Sequence, residues 1–116
     1  MTHPYGDLMV RYEQLTVKLV ATGDVLWVRI DGELDLSTSH LVDSCTTEAR
    51  RHRDTTGGLV LDLRKVTFCD AAGVRAIAQV HGWATTRGIA CELWPSPAVR
   101  RIVDAAGCEK LLDGGS

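Results

Sequence analysis

From Leu15 onward, apolar and polar positions alternate. Leu15, Val17, Leu19 and Ala21 fall on one side of a two-residue period, with Thr16, Lys18 and Val20 on the other. Successive side chains of a strand leave opposite faces, so this pattern predicts a half-buried strand. After Thr22-Gly23-Asp24 comes a second β-rich run, residues 25–30. Two such runs across a short Gly-containing link predict a hairpin. Beyond Asp31-Gly32-Glu33-Leu34-Asp35 the period changes: Leu41, Cys45 and Ala49 recur every four residues, and Arg50, Arg51 and Arg53 crowd the end. This predicts an amphipathic helix whose terminal cations suit its dipole. Gly57-Gly58 then leads to Leu59-Val60-Leu61-Asp62-Leu63, a nearly continuous apolar run. Such a run predicts the central strand, covered on both faces or nearly so.

Residues 64–69 predict a loop leading to Asp70, which stands where a helix N-cap belongs and whose carboxylate suits the orphan amides of a first turn. Val74, Ile77, Ala78 and His81 mark the buried face of the second helix, which Gly88 closes. Residues 89–94 predict another strand. Ser96-Pro97 is a cap followed by a first-turn proline, Val99, Ile102, Val103 and Ala106 form an apolar stripe, and Gly107 fits the stop. The order β-β-α-β-α-β-α predicts an α/β fold, with a mixed sheet made of an N-terminal hairpin followed by parallel strands reached through right-handed crossovers. Residues 1–14, which hold His3, Pro4 and Gly6 and show no sustained period, read as a flexible lead-in. Residues 15–112 read as a single domain and 113–116 as a loose C-terminus.

Composition narrows the function. A chain of 116 residues suits one core. With 45% hydrophobic residues, 24% charged residues and a net charge of −2, it is a globular sequence without the basic field that nucleic-acid binding requires. No apolar run approaches the roughly 20 residues of a membrane span. The N-terminus lacks a charged start followed by an apolar stretch, so the expected location is the cytoplasm. Cys45, Cys69, Cys91 and Cys108 lie at least 17 residues apart with no CxxC pair, which argues against zinc and against a thioredoxin-like motif. Cys45 and Cys91 are expected to be small buried hydrophobes. An enzyme needs a nucleophile, a base and an oxyanion or metal site within reach of one another. No His pairs visibly with Cys or Ser, the clustered acids and late lysine of a phosphoaspartate receiver are missing, and there is no Gly-rich phosphate loop. The expectation is a binding protein with no catalytic residues, cofactor or metal.

Three segments in order carry a family resemblance: Gly32-Glu33-Leu34-Asp35, the strand Leu59-Val60-Leu61-Asp62-Leu63, and Phe68-Cys69-Asp70-Ala71-Ala72-Gly73-Val74. Over about residues 15–112 the chain resembles the STAS domains, named for sulfate transporters and anti-sigma factor antagonists. The resemblance implies a STAS-like mixed sheet with helices mainly on one face. It implies the role of an anti-sigma factor antagonist, which binds an anti-sigma factor of the serine-kinase/ATPase type and so releases a sigma factor. The partner surface it implies comprises Glu33, Asp35, Thr67, Cys69, Asp70, Ala71, Ala72, Gly73 and Val74.

In switchable members, a Ser or Thr directly after the loop Asp is phosphorylated. A phosphate at a helix start is favoured by the free amides, yet it adds about two negative charges to a docking surface. Here Ala71 occupies that position and Ala72 follows, so the resemblance implies a protein that is not switched there. Thr67 is the nearest hydroxyl, but it precedes Asp70. Cys69 beside the predicted helix N-terminus, with Cys108 as partner, is a candidate for redox control, against the simpler reading of a packed thiol. Asp62 reads as a strand end or a turn cap, His81 as a core histidine, and Arg100 and Arg101 as the solvated side of the third helix. The resemblance leaves open a role as a STAS subunit on the ATPase of a lipid-transporting ABC transporter, or in a stress-signalling scaffold. A small-molecule sensor would instead show a closed apolar pocket. Neither nucleic acid nor direct membrane insertion is expected.

Overall fold

The hairpin and the later strands join in one sheet. The computed structural model describes residues 9–12, 14–50 and 57–107. Along the chain run β1 (Met9–Tyr12), β2 (Leu15–Thr22), β3 (Val25–Leu34), α1 (Ser39–Arg50), β4 (Gly58–Cys69), α2 (Ala71–Thr86), β5 (Ala90–Pro95) and α3 (Pro97–Ala105). The strands lie in the order β1-β2-β3-β4-β5. The β1/β2 and β2/β3 pairs are antiparallel, whereas β3/β4 and β4/β5 are parallel. Because β3, β4 and β5 advance across the sheet in one direction, crossovers of one hand place α1 and α2 on the same face. There α1 packs on α2 and β2, α2 on β4 and β5, and α3 on β4, β5 and α2.

The alternation in β2 has the expected consequence. Leu15, Val17, Leu19 and Ala21 are buried, and the register sets Val17 beside Ile30, Leu19 beside Val28 and Ala21 beside Leu26. On the same face Leu26 and Val28 meet Leu59 and Leu61 of β4, which in turn meet Cys91 and Leu93 of β5. This apolar layer beneath the helices is the core, and each fully buried Leu, Ile or Val in it contributes about 1.5–3 kcal/mol.

Several expectations change. Met9–Tyr12, placed by sequence in a flexible lead-in, forms an edge strand on β2, pairing Val10 with Val17 and Tyr12 with Leu15. Residues 64–69, expected as a loop, continue β4 alongside β3, so Asp62 sits in mid-strand rather than at a strand end. Two register shifts explain why the period was hidden. From Arg29 to Asp31 on β3 the partner strand advances from Asp62 to Lys65, and from Gly32 to Glu33 it advances from Val66 to Phe68. Each extra residue is a β-bulge, which brings consecutive residues to the surface and breaks strict alternation. Arg64 and Lys65 are exposed together, as are Thr67 and Phe68.

On α2 the buried residues are Gly73, Val74, Ala76, Ile77, Val80 and Ala84. Ala78 and His81 are half-buried, because the sheet covers a stripe centred on Ile77 and leaves these two at its margin. On α3, Val99 and Val103 are buried and Ile102 packs partly against the core. Ala106 is exposed beyond the helix end. Arg51, Arg53, Cys108, Leu111, Leu112 and residues 113–116 lie outside the described residues, as do the side chains of Cys45, Ala49 and Arg50.

Candidate functional site

The sequence landmarks converge at one end of the sheet, where β3 and β4 finish side by side and α2 begins. Gly32 has φ +117, and a Cβ there would collide with the Gln14 carbonyl. Only glycine suits both that backbone and that approach. The neighbouring Glu33 amide donates to the same Gln14 carbonyl at 2.8 Å. Asp35 then organises the turn into α1: its Oδ1 accepts from the Ser37 hydroxyl (2.7 Å), the Ser37 amide (2.9 Å) and the Thr38 amide (3.2 Å). The Ser37 hydroxyl foremost, with the other donors of this turn, holds the Asp35 carboxyl below its ordinary value. Thr38 is wholly buried. Its hydroxyl donates to the Glu33 carbonyl at 2.8 Å and accepts the Asp35 amide at 3.0 Å. Asp35 is therefore chiefly a turn builder, and Thr38 is a buried support that the sequence reading did not single out.

Asp70 is the N-cap of α2, as expected. Its Oδ1 accepts the Gly73 amide at 3.0 Å, and its Oδ2 accepts the Leu36 amide at 3.3 Å. The Asp70 amide donates to the Leu34 carbonyl at 3.3 Å. One carboxylate thus caps the helix and ties it to the turn after β3. Gly73 makes this closeness possible, since a Cβ there would lie 2.7 Å from the Leu34 carbonyl oxygen and 2.8 Å from Cys69 Sγ.

The residues implied as a partner surface divide into two groups. Ala71 and Thr67 are exposed, and Ala72, Glu33, Asp35 and Asp70 are half-exposed. The Thr67 hydroxyl donates to the Gly32 carbonyl at 3.3 Å. Cys69, Gly73 and Val74 are buried and cannot offer side chains to a partner. They form the platform beneath the surface, because a helix start laid this close to two strand ends hides its inner side. Two apolar side chains outside that set are also exposed in this region: Leu36 is 77% exposed and Phe68 50% exposed. Their exposure follows from the Asp35 turn and the β4 bulge, and a stretch read as loop gives no inside or outside. Next to Phe68, a surface groove of about 350 Å³ runs between β4 and α3, lined by Thr67, Cys69, Ala98, Arg101 and Ile102 among others. Arg100 and Arg101 are exposed as expected, with Arg101 facing this groove.

Cys69 is not a ready thiolate. It is 7% exposed, its Sγ lies 3.6 Å from the Asp70 carbonyl, and burial first and the Asp70 charge second push its pKa to about 11. The helix N-terminus does not outweigh desolvation here. Cys91 is buried, as expected, and is likewise pushed to about 11 by burial. Cys108, the suggested redox partner, lies outside the described residues.

On the other face of the sheet, Asp62 is buried between Arg29 and Arg64. Its contact with the Arg64 guanidinium foremost holds its carboxyl below the ordinary 3.8, against the opposing effect of burial. His81 is half-buried, and its Nε2 has no hydrogen-bond partner among the described residues. Among the described residues, no cluster of His, Cys, Asp and Glu is arranged to hold a metal, and no helix is long and apolar enough to cross a membrane.

Comparison with known proteins places this geometry. The chain is 32% identical over 91 residues to an anti-sigma F factor antagonist of Paenibacillus polymyxa, covering 76% of this chain and 75% of that protein. Its fold is similar to the unphosphorylated form of the anti-sigma factor antagonist SpoIIAA, with a TM-score of 0.66, 19% identity, and 83% of this chain and 84% of that one covered. It is equally similar to an anti-sigma factor antagonist from Mycobacterium paratuberculosis, with a TM-score of 0.66, 21% identity, and 84% and 82% covered. A STAS domain model matches residues 16–114. With the capped turn at Asp70, the close-packed Gly73 and the helices on one face of a mixed sheet already in place, this match over most of the chain means that the protein belongs to the STAS domain family.

Proposed function

We propose that this domain is an anti-sigma factor antagonist that docks, through the turn after β3 and the start of α2, on an anti-sigma factor of the serine-kinase/ATPase type, sequestering it and releasing a sigma factor. The observation carrying this reading is the pair of exposed apolar side chains, Leu36 and Phe68, at the Asp70-capped start of α2. Isolated exposed hydrophobes are ordinary, but two beside an alanine-faced helix start supply the dry centre that protein interfaces need. Ala71 and Ala72 offer no hydroxyl at the helix start. Docking in this reading is constitutive with respect to phosphorylation there, and Glu33 and Thr67 form its rim.

Capture of the host's ATPase-type anti-sigma factor by the purified domain tests this. Ala71→Glu, which places a charge where a phosphate would stand, and Leu36→Asp should each weaken capture at least tenfold, about 1.4 kcal/mol. Capture that is unchanged in both variants would exclude this surface. Selective capture of an ABC-transporter ATPase would instead support the transport-subunit reading.

A further inference from the structure

The sheet face turned away from the helices carries a groove of about 550 Å³ bounded by Lys18, Arg29, Asp31, Asp62, Arg64 and Lys65. The ladders set Lys18, Arg29 and Asp62 in one row across three strands, with Asp31 and Lys65 in the next. Asp62, only 6% exposed, accepts from Arg29 Nε at 3.4 Å, Arg64 Nε at 2.9 Å and Arg64 Nη2 at 3.0 Å. Its charge is spent on orienting two guanidiniums, whose side chains remain 53% and 56% exposed. Each guanidinium has five N–H donors, so among the described residues most of Arg29's and several of Arg64's are uncommitted. Arg64 also lies 4.6 Å from the centre of the Trp94 ring, and Trp94 meets Trp27 edge to face at 5.0 Å. The arginine is thereby braced from below. Lys18 and Lys65 make no ion pair among the described residues.

Among the described residues, four cations therefore face two acids in this groove, on a chain whose net charge is −2. Elsewhere the chain is more acidic still, which disfavours nucleic acid or an anionic membrane as the occupant. The two guanidiniums meet on Asp62, which already fills their common point, and Lys18 on β2 and Lys65 in the next row stand apart from it, so the four cations do not surround one phosphate. They are spread over neighbouring strands about 4.8 Å apart and along them by about 6.6 Å per two residues. Carboxylates on alternate residues of an extended segment repeat at the same interval. We propose that this open face is a second docking surface, separate from the α2 start, for an extended acidic segment of a partner protein. The braced arginines read its carboxylates, and Lys18 and Lys65 supply the outer charge.

Hexaglutamate titrated into the ¹⁵N-labelled full chain, followed by amide and indole NMR signals, tests the proposal. Saturable shifts are expected at Lys18, Arg29, Lys65 and the Trp94 indole, weakening as salt rises from about 20 to 150 mM. Lys18→Glu combined with Lys65→Glu should raise Kd at least about fivefold with a dispersed spectrum retained, and Lys65→Glu alone should raise it less. Ala71→Glu should leave it unchanged, which separates this surface from the one proposed above. Absence of saturable shifts, an unchanged Kd in the double variant, equal binding of hexalysine, or tighter binding of pyrophosphate at the same signals would each overturn the proposal, the last pointing to a small-anion site.

Discussion

The Leu36 amide donates to Asp70 Oδ2 across 34 residues of sequence. The carboxylate that caps α2 therefore also fixes the turn presenting the exposed Leu36 side chain. Helix start and turn are held as one surface, and order paid for in folding need not be lost again on docking.

Asp70→Ala removes both acceptors. It should destabilise the domain by about 1 kcal/mol, within the 0.5–2 range of lost caps, lowering Tm by about 4–8 °C. The Leu36 and Gly73 amides should exchange with solvent faster, while those of β2 do not. Equal loss of protection throughout would show that the carboxylate does not act locally.

Gly73→Ala offers a test of sign. Helix propensity alone predicts a gain of about 1 kcal/mol. The new Cβ, however, would press on the Leu34 carbonyl oxygen at 2.7 Å and Cys69 Sγ at 2.8 Å, and overpacking of this kind costs about 1–3 kcal/mol. Net destabilisation in urea unfolding is expected, and combining the change with Cys69→Ala should recover part of it. A stabilised single variant would mean that the contact yields freely.

The buried thiols give a chemical readout. With pKa values pushed to about 11, Cys69 and Cys91 should be alkylated at pH 7.4 at least about tenfold more slowly than an unstructured cysteine peptide, with rates set by opening of the fold. Peptide-resolved mass spectrometry measures each site. Rapid modification of Cys69 in the native protein would restore the case for redox control.

Asp62 sets a pH dependence. Its carboxyl titrates below 3.8 in the fold, so on acidification the unfolded chain takes up its proton first. The contribution to stability is complete above about pH 5 and disappears as pH falls through the lowered folded value. Asp62→Asn should therefore cost about 1–2 kcal/mol at neutral pH and flatten the profile below about pH 5. A variant profile parallel to that of the parent would exclude the Arg29–Asp62–Arg64 cluster as its source.

Signals that depend on near neighbours alone are legible in the sequence. The caps at Asp70 and Ser96, the proline opening α3, the β2–β3 hairpin and the order of elements from β2 onward depend on neighbours a few residues away. Gly32 and Gly73 stood out in the landmark segments, although their reason, close approach to Gln14 and to Leu34, lies in contacts distant in sequence. Strand pairing is non-local, so the extent of β4 through Cys69, with bulges that defeat the two-residue period, could not be seen, and neither could the edge strand β1. That misreading hid the exposure of Phe68 and moved Asp62 from a strand end to the middle of a strand.

The division between buried and presented residues in the segment around Asp70 belongs to the same class. A motif names Cys69, Gly73 and Val74 together with Ala71, but only the angle at which α2 leaves the sheet puts three of them beneath the surface and one on it. Chain chemistry by itself determined where α2 starts and that its first residue has no hydroxyl. Tertiary structure decided which side chains face outward there, and it gathered Lys18, Arg29, Arg64 and Lys65 on the opposite face, because the register of β2, β3 and β4 is a property of the assembled sheet and of no single segment.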